Sequence, residues 1–173
     1  DRGNFDLTEN DYYEIIRGKT AALIGCCCRL GAHYAGAESD VVDAAGRFGI
    51  ELGVAFQITD DLLDLLGEES KTGKTLGSDL SKQKLTLPLI HYLTTSENGS
   101  RDTVLELLAQ SESTAQRDRL TEILKKSDSI DFSHAAAVAH IDSAVTILNE
   151  AFPPSQARES LEGIARYVTR RKL

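Results

Sequence analysis

The sequence predicts an all-α fold, a bundle of antiparallel helices joined by short loops and one long one. Three observations predict it. Apolar residues recur with a helical period along most of the chain. Gly and Pro interrupt that period sparsely. No segment combines two-residue alternation with turn chemistry, and no repeat of fixed period is present. The 173 residues suit one domain, long enough to bury a core without disulfide or metal staples. The net charge of −8 repels nucleic acid and anionic membrane surfaces. No apolar run approaches the roughly 18 residues of a membrane span, and no signal peptide is recognisable. Cys26, Cys27 and Cys28 are consecutive, a poor spacing for a disulfide or a zinc site. They are expected to be small apolar packing residues in a reduced cytoplasm. The chain contains no Met, even at position 1, and opens on the polar Asp1-Arg2-Gly3-Asn4. It is therefore expected to be part of something longer.

Taken in order, Thr8 and Asp11 form a capping-box pattern, with Asp in place of the usual Glu. Behind it Tyr13, Ile16, Ala21 and Ile24 lead a helix towards Gly31. A second helix over 39–66 is apolar around most of its circumference and so belongs at the centre, with Gly67 as its stop. The stretch 68–83 has charges of both signs, Gly73 and Gly77, and no apolar period, which predicts a long and functional loop. Pro88 marks the start of a helix over 85–93. Shorter amphipathic helices are expected over 101–109, 113–126 and 133–151, with Ser113, Asp131 or Ser133 as caps. Pro153-Pro154-Ser155 opens a last helix running to about 171.

The chemistry concentrates at one helix end. Gln57, Asp60, Asp61 and Asp64 stand at i, i+3, i+4 and i+7, on one helical face. They occupy the last two turns, where the helix dipole is negative and each carboxylate is unfavourable by roughly 0.3–1 kcal/mol. Clustered carboxylates in such a place attract cations. Oxygen ligands without Cys or His suit Mg²⁺ better than Ca²⁺, whose loop pattern is absent. On spacing alone, an acidic helix end in solvent explains the cluster equally well. Lys71, Lys74, Lys82 and Lys84 follow in the loop, and Lys19-Thr20 lies on the first helix. Lysines around a carboxylate-bound Mg²⁺ make a diphosphate site, although any one of them, taken singly, reads as a surface charge.

Phe56-Gln57-Ile58-Thr59-Asp60-Asp61-Leu62-Leu63-Asp64 resembles the second aspartate-rich motif of the trans-prenyl diphosphate synthases. Ile15-Ile16-Arg17-Gly18-Lys19-Thr20-Ala21 is similar to their Lys-Thr motif. Thr72-Gly73-Lys74-Thr75-Leu76-Gly77-Ser78-Asp79-Leu80 is similar to the loop after the aspartates, and Lys84-Leu85-Thr86-Leu87-Pro88-Leu89 to their Lys-x-Thr-x-Pro element. The motifs keep family order and spacing over roughly 7–93, and the remaining helices carry no signature.

The resemblance implies an isoprenoid-synthase bundle, here partial, with residues 1–173 as the C-terminal portion of one domain. It implies head-to-tail condensation of an allylic diphosphate with isopentenyl diphosphate, Mg²⁺-dependent, by a cytoplasmic homodimer. Asp60 would ligate Mg²⁺, with Asp61 and Asp64 supporting it directly or through water. Lys19, Lys74 and Lys84 would contact the allylic diphosphate, and the Thr20 and Gln57 oxygens would face the forming cation. Lys19 and Asp60 are then expected to face a common cleft. Two departures stand out. Gln83 replaces the Gly common before the lysine, a change expected to alter loop flexibility more than chemistry. The family's first aspartate-rich motif and its basic isopentenyl diphosphate site are missing from the sequence, so the isolated chain is expected to be inactive. A non-catalytic helical partner subunit is the main alternative, against which the retained aspartates and lysines argue. A terpene cyclase shares the fold, yet usually lacks the Lys-Thr and Lys-x-Thr-x-Pro set.

Overall fold

A computed structural model describes residues 4–66, 77–111 and 113–171. The described residues are helical and contain no strand. Thr8 and Asp11 form the reciprocal capping box. The Asp11 amide donates to Thr8 Oγ1 at 3.2 Å and the Thr8 amide donates to Asp11 Oδ2 at 2.9 Å. Helix α1 (Glu9–Ile16) follows, then one π-helical turn (Arg17–Ala21), then α2 (Ala22–Tyr34). The Ala22 amide donates to the Arg17 carbonyl, which inserts one residue into the helix. The sequence reading expected an uninterrupted helix here. Its apolar marks nevertheless carry the signature, because the step from Ile16 to Ala21 is five residues. The extra residue keeps Ile16, Ala21 and Gly25 on the buried side.

Helix α3 (Ser39–Leu66) has the expected bounds, while Gly67 lies outside the described residues. Beyond them comes a short helix inside the predicted loop, α4 (Ser78–Ser81). Then follow α5 (Leu87–Thr95), α6 (Asn98–Ala109), α7 (Thr114–Lys125), α8 (Ser129–Ala151) and α9 (Gln156–Arg170). Helix α8 starts four residues earlier than the sequence pattern suggested. Asp131 and Ser133 therefore lie inside it and cap nothing, and the Ser133 hydroxyl donates back to the Ser129 carbonyl at 2.8 Å. Ser127-Asp128-Ser129 offers the same cap chemistry one turn upstream. Ser113 occupies the cap position of α7 without a side-chain cap bond, whereas Ser155 Oγ accepts the Arg158 amide at the start of α9.

The contacts group into two units. One comprises residues up to Tyr12 together with Asp60–His134; the other comprises Tyr13–Thr59 and Ala135–Arg171. In the second unit the central helix packs on α2 through small residues. A Cβ built on Gly53 would lie 2.5 Å from Ala21 Cα, and one on Gly49 would lie 2.7 Å from Gly25 Cα. Both are inside any carbon–carbon contact distance, so only Gly permits this approach. On another side Phe48 and Ala55 bury against Ile141, Ala144, Val145, Leu148, Ala165 and Val168. Cys28 packs against this cluster, and its burial, helped by the neighbouring Cys27, raises its thiol pKa. Cys26 and Cys27 are exposed, so the expected packing role holds for one cysteine of three. In the first unit α5, α6 and α7 pack on one another, burying Leu89, Leu93, Val104, Leu108, Leu120 and Leu124.

Candidate active site

In the second unit the π turn carries Lys19, exposed, and Thr20, half-buried. The Thr20 hydroxyl donates to Gln57 Oε1 at 2.7 Å. This contact follows from the glycine crossing, since Ala21 touches Gly53 and Gln57 stands one turn further along α3. The side chain of Gln57 is buried, and the hydroxyl fixes which way its amide oxygen faces.

In the first unit the last two turns of α3 present the three aspartates, each in different surroundings. Asp60 is half-buried. Asp61 is 2 % exposed, and its two oxygens have different partners. Oδ2 accepts the hydroxyl of the buried Tyr12 at 2.8 Å, and Oδ1 accepts Lys84 Nζ at 3.2 Å. Asp64 holds the N-terminus of α4, accepting the Ser78 amide at 3.3 Å and the Asp79 amide at 2.9 Å, while its own carbonyl accepts the Gly77 amide. These otherwise orphaned first-turn amides are satisfied by a carboxylate, which also complements the positive helix end. Gly77, at φ 68°, makes the turn into α4.

Lys84 is the junction of the cluster. Besides Asp61 it donates to Asp79 Oδ2 at 3.0 Å. Burial disfavours its charged form, but the carboxylates of Asp61 and Asp79 outweigh burial, so its pKa stands above the ordinary lysine value. Its side chain remains 30 % exposed and can be reached from solvent. The turn returning Lys84 to Asp79 passes through Gln83, the one described non-glycine residue with positive φ, at 54°. The departure from Gly at this position therefore bears on backbone conformation rather than on flexibility. Lys82 is exposed. Lys71, Lys74 and Gly73 lie outside the described residues. Among the described residues no group of three or more His, Cys, Asp or Glu is arranged to hold a metal ion.

A family model for polyprenyl synthetase matches residues 1–127, which contain all of these positions. The chain belongs to the polyprenyl synthetase family. It is 37 % identical over 150 residues to a geranylgeranyl diphosphate synthase of Mycobacterium tuberculosis, covering 86 % of this chain and 43 % of that protein. It is 34 % identical to heptaprenyl diphosphate synthase component 2 of Bacillus subtilis, covering 99 % of this chain and 48 % of that protein. A polyprenyl synthase of Caulobacter crescentus, solved with calcium and isoprenyl diphosphate, matches with a TM-score of 0.92 at 31 % identity, covering 99 % of this chain and 52 % of that one. The all-α synthase fold expected from the sequence is thus established. The chain spans about half the length of the relatives it matches.

Two of the predicted site pairs are in contact in this polyprenyl synthetase chain. Thr20 meets Gln57, and Lys84 meets Asp61, as side-chain pairs. Sequence reasoning missed Tyr12 as a partner of the aspartates, because 49 residues separate it from Asp61 and spacing carries no signal over that distance. It likewise missed that Asp79, quoted only as part of the loop motif, would hold Lys84. No helix among the described residues is long and apolar enough to cross a membrane.

Proposed function

We propose that this chain supplies the second aspartate-rich half of the active site of a head-to-tail prenyltransferase. The allylic carbon–oxygen bond breaks with its electron pair leaving on the diphosphate. The allyl cation alkylates the double bond of isopentenyl diphosphate, and loss of a proton completes the trans-polyprenyl diphosphate. The observation that carries this reading is the Lys84 ammonium, charged, partly exposed and fixed by Asp61 and Asp79 beside the Asp60 helix turn. A fixed cation is what a departing diphosphate requires, since preorganised charge stabilises it without reorganisation at the moment of reaction. Lys19 and Lys74 join it by the family resemblance. Thr20 orients the Gln57 oxygen, and two oxygens so held favour a neighbouring carbocation.

The donor set fits Mg²⁺. It is composed of carboxylate oxygens, and Mg²⁺ commonly takes only one or two carboxylates, completing its shell with water and phosphate. Asp60 is the ligand in this reading. Asp61 and Asp64 support it while holding Lys84 and the start of α4. When bound, Mg²⁺ supplies charge neutralisation at the diphosphate. The resemblance also implies a cytoplasmic homodimer. Two relatives are called component 2 of a heptaprenyl diphosphate synthase, which favours as a second reading a subunit that works with a separate component.

The test uses the full-length protein with Mg²⁺, farnesyl diphosphate and labelled isopentenyl diphosphate. Elongated product is expected, and Asp60→Ala is expected to lower kcat by about 100-fold or more. Asp142→Ala, which breaks only an exposed 3.8 Å pair with Arg166, should change little. Equal activities for the two variants would remove Asp60 from the mechanism. The isolated 173-residue chain, offering one aspartate-rich helix, is expected to give no product. Elongation by it would show that the chemistry is complete without a second such helix.

A further inference from the structure

We infer that Tyr12 is a positioning residue for Lys84, acting through Asp61; the inference rests on the prenyltransferase reading above. Tyr12 is 1 % exposed, yet its hydroxyl is spent on a carboxylate that is itself almost fully buried. A buried carboxylate is costly unless both oxygens find donors or cations. Here the two oxygens are served from different elements, Oδ2 by Tyr12 on α1 and Oδ1 by Lys84 after α4. This division decides how Lys84 behaves. The terminal torsion of an Asp is soft and roughly two-fold, so one bond does not fix the carboxylate plane, whereas two bonds on opposite oxygens do. With the plane fixed, the lysine, on a flexible four-carbon stem, has a defined anchor at 3.2 Å and a second at 3.0 Å on Asp79. Its remaining donor capacity points to the exposed part of its surface, where a diphosphate oxygen can take it. Without the tyrosine hydroxyl, the carboxylate loses one of the bonds that fix its plane, and the anchor at Oδ1 that places the Lys84 ammonium shifts with it. Tyr12 thus acts through Asp61 and sets where the Lys84 charge meets the diphosphate.

The experiment titrates inorganic diphosphate with Mg²⁺ into the full-length protein by calorimetry. It compares the unsubstituted form, Tyr12→Phe, Lys84→Ala and the double variant. Phenylalanine keeps the ring and its packing and removes only the donor. Tyr12→Phe is expected to weaken diphosphate binding about five- to tenfold, the order of one ordinary intramolecular hydrogen bond. In the Lys84→Ala background the same substitution should change affinity less than about twofold, because the group it positions is gone. A purely structural role for Tyr12 would lower affinity by the same factor in both backgrounds. Multiplying losses, or a Tyr12→Phe protein that binds like the unsubstituted one, overturns the inference. Should the phenylalanine variant fail to fold, Tyr12→Leu, which likewise removes the donor and keeps the position apolar, serves in its place. Its effect too must vanish with Lys84→Ala, and a persisting effect overturns the relay. Elongation assays on the same preparations separate the two levels. An active unsubstituted protein with an unaffected Tyr12→Phe variant overturns this inference alone. An unsubstituted protein that neither binds diphosphate nor elongates overturns the prenyltransferase reading as well.

Discussion

Replacing Gly53 with Ala places one methyl group where α2 already stands. The new Cβ would lie 2.5 Å from Ala21 Cα and 2.8 Å from Ala21 Cβ. Favourable carbon–carbon contact begins at about 3.5 Å, so relief requires roughly 1 Å of separation between two helix backbones. The neighbouring contact offers no slack, because Gly49 meets Gly25 and the Ile24 carbonyl one turn away. Overpacking of this kind costs about 1–3 kcal/mol, and the Thr20–Gln57 bond, lost if the helices part, adds about 1 kcal/mol. At about 2–4 °C per kcal/mol for a chain of this size, Tm should fall by about 4–16 °C. Thermal unfolding followed by far-ultraviolet circular dichroism reads the change. Gly163→Ala is the internal control. Nothing lies within 4 Å of its added carbon, and an interior helical Gly is about 0.5–1 kcal/mol worse than Ala, so this variant should be slightly stabilised. If Gly53→Ala unfolds at or above the unsubstituted temperature, the close crossing of α2 and α3 is wrong, and the account of how Thr20 reaches Gln57 fails with it.

Two further outcomes follow from the turn around Lys84. Gln83 sits at φ 54°, which costs a side-chain-bearing residue about 1–2 kcal/mol. Gln83→Gly should therefore raise stability by about 0.5–1 kcal/mol once the entropy of Gly is deducted, and a denaturant midpoint that falls would contradict the strain. The second concerns pH. Because the folded pKa of Lys84 is raised, its contribution is fully present below the unfolded value near 10.5 and is lost as pH climbs through the folded value. Between neutral pH and strongly alkaline solution the unsubstituted protein should therefore lose more stability than Lys84→Met. Parallel curves would show that Asp61 and Asp79 do not hold the charged form.

What the sequence made legible is what depends on local period and cap chemistry. Helix α3 was readable end to end because nothing between Ser39 and Leu66 breaks its apolar period. The Thr8–Asp11 box was readable because both halves lie within four residues. The failures have physical causes as specific. A four-residue helix such as α4 buries too little to leave a periodic mark, and it persists because Asp64, fourteen residues upstream, satisfies the Ser78 amide. Asp131 and Ser133 were mistaken for caps because Ser127-Asp128-Ser129 offers the same oxygen chemistry one turn earlier. Exposure of Cys26 and Cys27 could not be read from composition, since consecutive positions on a helix face different ways whatever their chemistry. In the site, residue types and helical face were readable. The partners of Asp61, 49 and 23 residues away, were not.

Those partners change how the three acids should be understood. From sequence they form one cluster of like charges at a helix C-terminus, each made unfavourable by the others and by the dipole. In the fold, Asp61 and Asp64 have different partners within the protein. Asp61 faces a lysine and a tyrosine, and Asp64 faces the amides of α4. A fixed positive partner for each neighbour reduces the like-charge repulsion along this face. The arrangement also connects regions that the chain separates. The Asp64 carbonyl and carboxylate fasten 77–79 to the end of α3, and Asp61 fastens Lys84. An acid lost at position 64 would remove the acceptor of the Ser78 and Asp79 amides and so loosen the start of α4. Two acids of the motif thus hold groups of the protein itself, Asp61 the Lys84 ammonium and Asp64 the first amides of α4.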